Sequence, residues 1–326
     1  MEDVARAAAV SLKTVSRVVN GEPRVTPDTA DRVRRAIVEL GFRRNDMARA
    51  LRRGQVSKTL GLVIEDVANP FYSAISRGVE EEARTRGFLV IAGSSDEDPE
   101  RERMLVRLLC ERRVDGLLIV PAGDDHRYLT QEVEHGMPVV FVDRAPGSFE
   151  ADTILLDNVG GARLAVRHLL AHGHRRIAVV ADAPSISTAA ERYRGYAETL
   201  AAAGIDIDPE LVRLGPHDAG TAETAVREVL ALADPPTAFF AGNNRMTTGA
   251  LRALLGRGPV ALVGFDDLEL AELVTPPVTV IAYDAAELGR RAASLVWQRL
   301  AGDSGAPQRV VLPTTLVARG SGEIAA

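Results

Sequence analysis

The sequence predicts a two-part chain: a short all-α domain at the amino end, then an α/β body folded as two doubly wound parallel-sheet subdomains. Three observations carry that expectation. In roughly the first forty residues, apolar positions recur at intervals of three and four, the period of an amphipathic helix. From Thr59 onward, short apolar runs alternate with helical patterns, which implies parallel strands covered by helices on both faces. The body spans about 270 of the 326 residues, too many for one sheet.

Composition narrows the function classes. Apolar residues make up 46% and charged residues 26%, which describes a globular protein. Aromatics are only 4%, so the core must be built from Val, Leu, Ile and Ala. The single cysteine, Cys110, excludes a disulfide framework and sits in "RMLVRLLCERR" on an apolar helical stripe. It reads as a small core residue, not a nucleophile. The charged first thirty residues hold no export signal and no apolar run reaches membrane-spanning length. A cytoplasmic protein without a membrane partner is expected. The net charge of −6 is uneven, because residues 1–56 hold twelve Lys and Arg against seven Asp and Glu. That arm carries +5 and the remainder −11. A basic arm on an acidic body suggests a polyanion-binding module attached to something with another task.

The arm divides into three helices. In "EDVARAAAV", Val4, Ala5 and Ala8 fall at helical spacing. Ser11 can cap the second helix, on which Val15, Val18 and Val19 share one side. Lys13, Ser16, Arg17 and Asn20 lie opposite, with Leu12 on the boundary. Thr26-Pro27 opens the third, Val33, Ala36, Ile37 and Leu40 form its stripe, and Gly41 ends it. Two helices joined by a short turn, the second exposing a cationic side, match a helix-turn-helix whose second helix suits the major groove. The alternative is a small amphipathic bundle with a solvated face. Residues 45–53, "NDMARALRR", favour helix but are too few to hold one alone in water. Such a segment folds when a partner supplies contacts. On its own residues Leu51 reads as an ordinary linker leucine packed on the body.

In the body the strand-like runs are "LGLVI", "FLVIA", "DGLLIV", "PVVFVD", "RIAVVAD", "TAFFAG" and "VALVGFD". Helical stretches include 72–86, 98–112, 160–171, 189–203 and 244–255. Ligands in such sheets bind beyond the carboxyl ends of the strands. That rule selects Asn69, Phe71, Tyr72, Asp143, Arg144, His217, Asn243, Asn244 and Asp266, residue types suited to a polyhydroxylated or heterocyclic ligand. Three other patterns lead elsewhere. His168, His172 and His174 in "RHLLAHGHRR" could grip zinc, but Gly173 breaks the helix and no carboxylate completes the site. "DEDPERERM" reads as a helix start with a solvated acidic face. There is no GxGxxG after a strand, no phosphate loop with GK and no HExxH, so neither cofactor nor metal nor enzymatic activity is expected.

Three stretches together resemble the LacI family of bacterial transcription regulators: "DVARAAAVSLKTVSRVVNGEPRVTPDTADRVRRAIVELGF", "NDMARALRRGQVSKTLGLVIEDVANPFYSAISRGVEEEA" and "ALVGFDDLELAELVTPPVTVI". The resemblance covers essentially the whole chain. It implies a helix-turn-helix domain over 1–44, a hinge helix over 45–57 and an effector-binding and dimerising domain over 58–326, similar to type I periplasmic sugar-binding proteins. Within it, one subdomain takes approximately 58–158 and 284–310, the other 159–283 and 311–326. By that similarity Leu12, Lys13 and Arg17 read base edges, while Ser11, Thr14, Ser16 and Asn20 position phosphates. Asn45, Arg49, Leu51 and Arg52 belong to the hinge, with Leu51 as a wedge in the minor groove. Phe71, Tyr72, Arg144, Ser187, Thr188, Arg192, His217, Asn243 and Asp266 match effector-binding positions. The chain departs from the family in Ala9, where the turn usually has Gly, and in Arg44, where Pro is common. The missing capping Thr suggests a natural start a few residues upstream. The resemblance thus implies a dimeric repressor of transcription, bound to pseudo-palindromic operator DNA and controlled by a small effector, commonly a sugar. The alternative is a periplasmic-type solute-binding protein for a sugar, which the basic arm argues against.

Overall fold

A computed structural model describes residues 1–19, 22–41 and 57–326. The chain forms two compact units, residues 1–57 and 58–326. In the first, helices α1 (Glu2–Ala7), α2 (Leu12–Val19) and α3 (Pro27–Glu39) enclose a small core of Val4, Ala5, Ala8, Val15, Val33 and Ala36. Thr26 and Pro27 stand at the start of α3, where the missing N–H of Pro costs no bond. The turn between α1 and α2 runs through Ala9 at φ 51°, a left-handed conformation that Ala holds at a cost of roughly 1–2 kcal/mol. Arg32 braces this turn by donating to the carbonyls of Ala8 (2.7 Å) and Ala9 (3.3 Å).

The second unit holds two six-stranded sheets. The first contains β1 (Thr59–Ile64), β2 (Leu89–Ser94), β3 (Gly116–Ile119), β4 (Val139–Asp143), β5 (Asp152–Leu156) and β11 (Arg309–Leu312), in the order β11-β5-β4-β3-β1-β2. All its pairings are parallel. The second contains β6 (Ile177–Ala181), β7 (Val212–Leu214), β8 (Ala238–Ala241), β9 (Ala261–Phe265), β10 (Thr279–Ala282) and β12 (Thr315–Val317), in the order β12-β10-β9-β8-β6-β7. Only its β10–β12 pair is antiparallel. The chain passes between sheets three times, after β5, after β10 and between β11 and β12. Because β11 stays in the first sheet to Leu312, the last crossing falls beyond the boundary near 310 that the sequence suggested.

Seven of these strands correspond to the apolar runs, and β3, β4, β6, β8 and β9 are buried along their whole length. The sequence reading passed over β5, β7, β10, β11 and β12. Of these, β7, β11 and β12 are short, partly exposed strands without a continuous apolar run. β5 and β10 are buried, but Asp152, Thr153 and Thr279 interrupt or flank their apolar residues.

Helices α4 (Pro70–Thr85), α5 (Pro99–Glu111), α6 (Thr130–Glu134), α7 (Asn158–Ala171), α8 (Ser187–Ala202), α9 (Ala219–Leu230), α10 (Asn244–Leu254) and α11 (Ala285–Leu300) cover the sheets. Asx caps start most of them: Asn69, Asp98, Asp157, Asp218, Asn243 and Asp284 each accept a backbone N–H of the helix that follows. Helices α4 and α11 approach so closely that a Cβ on Gly78 would lie 2.0 Å from the Ala286 carbonyl oxygen, and one on Gly289 2.1 Å from that of Ile75. These positions admit only hydrogen. Gly289→Ala is therefore expected to destabilise the second unit by about 1–3 kcal/mol, the usual scale for overpacking. A urea midpoint equal to that of the parent protein would contradict it.

Candidate functional site

The arm presents α2 as a polar ridge over an apolar base. Val15 is fully buried, whereas Leu12, at 47% exposure, and Lys13 face solvent. The Ser11 hydroxyl accepts the Thr14 N–H at 3.2 Å and lies 2.9 Å from the Thr14 hydroxyl, so Ser11 does cap the helix. The first turn of α2 carries no acid. Arg17 is half-buried, its Nε 3.8 Å from the Glu22 carboxylate, which holds the guanidinium at the helix end. Ser16 is half-buried. Asn20, Asn45, Arg49, Leu51 and Arg52 lie outside the described residues.

In the body, the carboxyl ends of the two sheets share a cavity of about 520 Å³. Arg144, Ser187, His217 and Asn243 of the expected set line it. So do Glu65, Asp66, Asn69, Glu97, Asp182 and Arg245. Phe71, Tyr72, Thr188, Arg192 and Asp266 do not line it but adjoin it as a packed cluster. The Arg192 guanidinium lies 3.8 Å from the Phe265 ring centre and donates to Asn158 Oδ1 (2.9 Å) and the Gly242 carbonyl (2.7 Å). Phe71 meets Tyr72 and Tyr283 edge-on, with ring centres 4.8 and 5.9 Å apart. The Tyr283 hydroxyl donates to Asp266. Thr188 is buried in the first turn of α8, and His217 is exposed at the rim beside Asp218.

Arg144 is less free than the sequence suggested. It is 6% exposed and forks onto Glu97 at 2.6 and 2.7 Å, with further donations to Tyr72 Oη (3.0 Å) and the Pro121 carbonyl (3.1 Å). Glu65 lies 3.3 Å away. Burial, then repulsion from Glu97, pushes the Glu65 carboxyl up to about 7 against the pull of Arg144. Burial likewise raises Asp143 to about 6. Asp143, the last residue of β4, and Asp266, the first after β9, have φ of 70° and 73°, a conformation that Asp tolerates better than most residues. Two buried acceptors here, Asp143 Oδ1 and Asn244 Oδ1, have no hydrogen-bond partner.

Ties also cross the cleft. Arg245 reaches from α10 to Glu65 (2.9 Å) and Asp66 (2.6 Å) of the first subdomain. Asn244 Nδ2 donates to Asn69 Oδ1 at 2.8 Å. Sequence reasoning missed Glu65, Asp66, Asp182, Arg245 and Tyr283 as site residues. The first three immediately follow or end strand runs, so the strand-end rule could have found them. Tyr283 follows a strand that the reading passed over. "DEDPERERM" is exposed at Asp96, Asp98 and Glu100, as a solvated acidic face requires, but not at Glu97 and Glu102. Glu97 lines the cavity, and Glu102 is 2% exposed, accepting the Ala122 N–H and Tyr128 hydroxyl at 2.6 Å each and lying 3.1 Å from His126. Burial opposes its charge, but those hydrogen bonds hold its carboxyl below the usual range. Glu102 thereby fixes the loop after β3 that forms one wall.

The three histidines of "RHLLAHGHRR" have other partners. His168 meets Glu323, His172 bonds the His168 carbonyl (2.9 Å), and the buried His174 bonds Thr237 Oγ1 (2.8 Å) and the Ile324 carbonyl (2.7 Å). They fasten the C-terminal segment to the end of α7. Cys110 is half-buried, and burial followed by the nearby Glu132 pushes its thiol up to about 11. No helix among the described residues is long and apolar enough to cross a membrane.

Comparison with known proteins bears on both units. Residues 1–45 match the family of bacterial regulatory proteins, lacI family, and residues 57–319 match periplasmic binding proteins and the sugar binding domain of that family. The HTH-type transcriptional regulator CelR of Thermobifida fusca is 37% identical, over 99% of this chain and 98% of its own length. A solved CelR–cellobiose complex is 35% identical over 98% of both chains, with a TM-score of 0.73. The lac repressor dimer bound to operator and the anti-inducer ONPF is 29% identical over 98% of both chains, with a TM-score of 0.83.

The raised Glu65 carboxyl has a testable consequence. Between the ordinary carboxylate range and about pH 7, the folded protein binds this proton more tightly than the unfolded chain does. The stabilisation is complete at low pH and is lost as pH rises through about 7. Glu65→Gln is expected to flatten that part of the stability profile, leaving the smaller slope due to Asp143. A urea-unfolding series with the parent slope intact would refute the assignment.

Proposed function

We infer that this chain, which belongs to the LacI family of bacterial regulatory proteins, is a sequence-specific DNA-binding repressor of transcription whose grip on operator DNA is set by a small carbohydrate effector. The observation that carries this reading is the pairing, in one chain, of a cationic exposed helix with an enclosed polar cleft between two subdomains. A cationic helix alone would bind DNA without control, and a cleft alone would bind solute without consequence.

In this reading α2 enters the major groove, with Leu12, Lys13 and Arg17 at base edges and Ser11, Thr14, Ser16 and Asn20 at phosphates. Arg17 exchanges its exposed pairing with Glu22 for an acceptor on a base. Asn45, Arg49, Leu51 and Arg52 form the hinge that seats in the minor groove, Leu51 as the wedge. A second copy of the chain supplies the other half of a two-fold site, since such operators are read by dimers. The protein acts in the cytoplasm, where the DNA is.

The effector lies among Arg144, Ser187, His217 and Asn243 at the cavity, with Phe71, Tyr72, Thr188, Arg192 and Asp266 at its flank. Carboxylates, amides and rings together suit a molecule with many hydroxyls and apolar ring faces. The CelR structure in complex with cellobiose points to the same class. An effector that binds one arrangement of the subdomains better than another shifts the protein toward it, and operator DNA must alter effector affinity by the same factor.

Two experiments test this. Lys13→Ala and Arg17→Ala should each cost about 1–3 kcal/mol of discrimination between operator and random DNA, the worth of a good base contact. Footprinting on genomic fragments at fixed salt measures it, and undiminished selectivity would remove α2 from the groove. Arg192→Ala should abolish the effector response while operator binding in the absence of effector persists. A retained response would place the effector elsewhere.

A further inference from the structure

The electrostatics of the cleft go further and name what its ligand lacks. Six carboxylates line the cavity, those of Glu65, Asp66, Asp96, Glu97, Asp124 and Asp182, against two arginines, Arg144 and Arg245. Both arginines are already committed. Arg144 forks onto Glu97, and Arg245 spans Glu65 and Asp66. The adjoining Arg192 gives its Nε to Asn158 and an Nη to the Gly242 carbonyl. An anionic group entering here would have to take an arginine from a half-buried carboxylate, leaving that carboxylate unpaired in a poorly solvated place.

The buried groups next to the cavity that lack a hydrogen-bond partner lean the same way. They are two acceptors, Asp143 Oδ1 and Asn244 Oδ1, and one donor, Arg144 Nε, which already faces the Asp143 carboxylate at 3.6 Å. Hydroxyl groups donate; a phosphate dianion or a carboxylate only accepts. The remaining feature that could favour an anion is the amino end of α8, where Ile186 provides no side-chain cap. One uncapped helix end offers about half a unit charge, against six carboxylates and two arginines lining the same cavity, with Asp96 paired to Arg101 outside it.

We propose that the cleft selects a carbohydrate carrying no phosphate or carboxylate group and rejects the anionic derivatives of the same sugar. This rests on the carbohydrate reading given above. Calorimetric titration of the full-length protein at about pH 8, above the Glu65 ionisation, would use two matched sets. The neutral set is glucose, galactose, ribose and cellobiose; the anionic set is glucose 6-phosphate, galactose 6-phosphate, ribose 5-phosphate and cellobiose 6-phosphate. The expected result is binding within the neutral set, with each anionic counterpart weaker by on the order of 100-fold. A counterpart that binds as tightly as its parent, or binding confined to the anionic set, overturns the inference and leaves the carbohydrate reading standing. No binding in either set removes both.

A variant separates charge from shape. Glu97→Gln keeps the volume but releases the Arg144 fork, and should raise affinity for the phosphorylated sugar roughly tenfold or more relative to its neutral parent. Asp124→Asn, at an exposed rim position, should act in the same direction more weakly. Unchanged ratios in both variants would mean that charge does not set the selectivity.

Discussion

The interaction on which the body depends is the pairing of arginines with the carboxylates gathered where two parallel sheets face each other. A parallel sheet delivers the residues after every strand to one edge, and in this chain many of those residues are Asp and Glu. With two such edges opposed, Glu65, Glu97, Asp143, Asp182 and Asp266 share a poorly solvated space. Each buried carboxylate costs several kcal/mol unless paired. Arg144, Arg192 and Arg245 supply that pairing. The position of Arg245 makes sense only in this context, because a cation in the first turn of a helix opposes the helix dipole. It belongs there because its partners lie on the other subdomain.

That arrangement makes the contact between subdomains sensitive to what enters the cleft. The cross-cleft ties are few and polar: Arg245 to Glu65 and Asp66, partly exposed on the arginine side, and the buried bond from Asn244 to Asn69. Three chain crossings allow the subdomains to turn without either sheet deforming. A ligand bound among the lining residues therefore competes with the ties already present. An equilibrium poised in that way can be shifted by the few kcal/mol that a small molecule supplies. The first subdomain begins at Lys58, directly after the last residue of the arm.

The arm shows the converse economy. Its core is six small or β-branched residues, and the turn before α2 is held in a conformation that Ala9 does not favour. Arg32 steadies it through two carbonyls, which spends a cation on structure rather than on a partner. The cationic residues left on α2 are those that the outward-facing positions of the helix demand.

Much was legible in the sequence because it depends on local periodicity. The three helices of the arm follow from apolar residues three and four apart. The parallel sheets follow from runs such as "DGLLIV" and "PVVFVD", which only a strand buried on both faces requires. The rule that strand ends form sites found Asn69, Arg144 and Asn243 without any structure. Local pattern fails where burial is shared across the chain. β5 and β10 carry polar residues whose partners come from distant segments, such as Arg299 for Asp152 and Glu323 for Thr279. "DEDPERERM" looks solvated because nothing nearby in sequence reveals that Tyr128 and Ala122 close over Glu102. Only the tertiary structure decided that Arg144 forks onto Glu97, that Arg245 joins the two subdomains and that Tyr283 reaches Asp266. The reason is physical: the state of a charge depends on which other charges are brought beside it, and a linear sequence fixes the charges but not their neighbours.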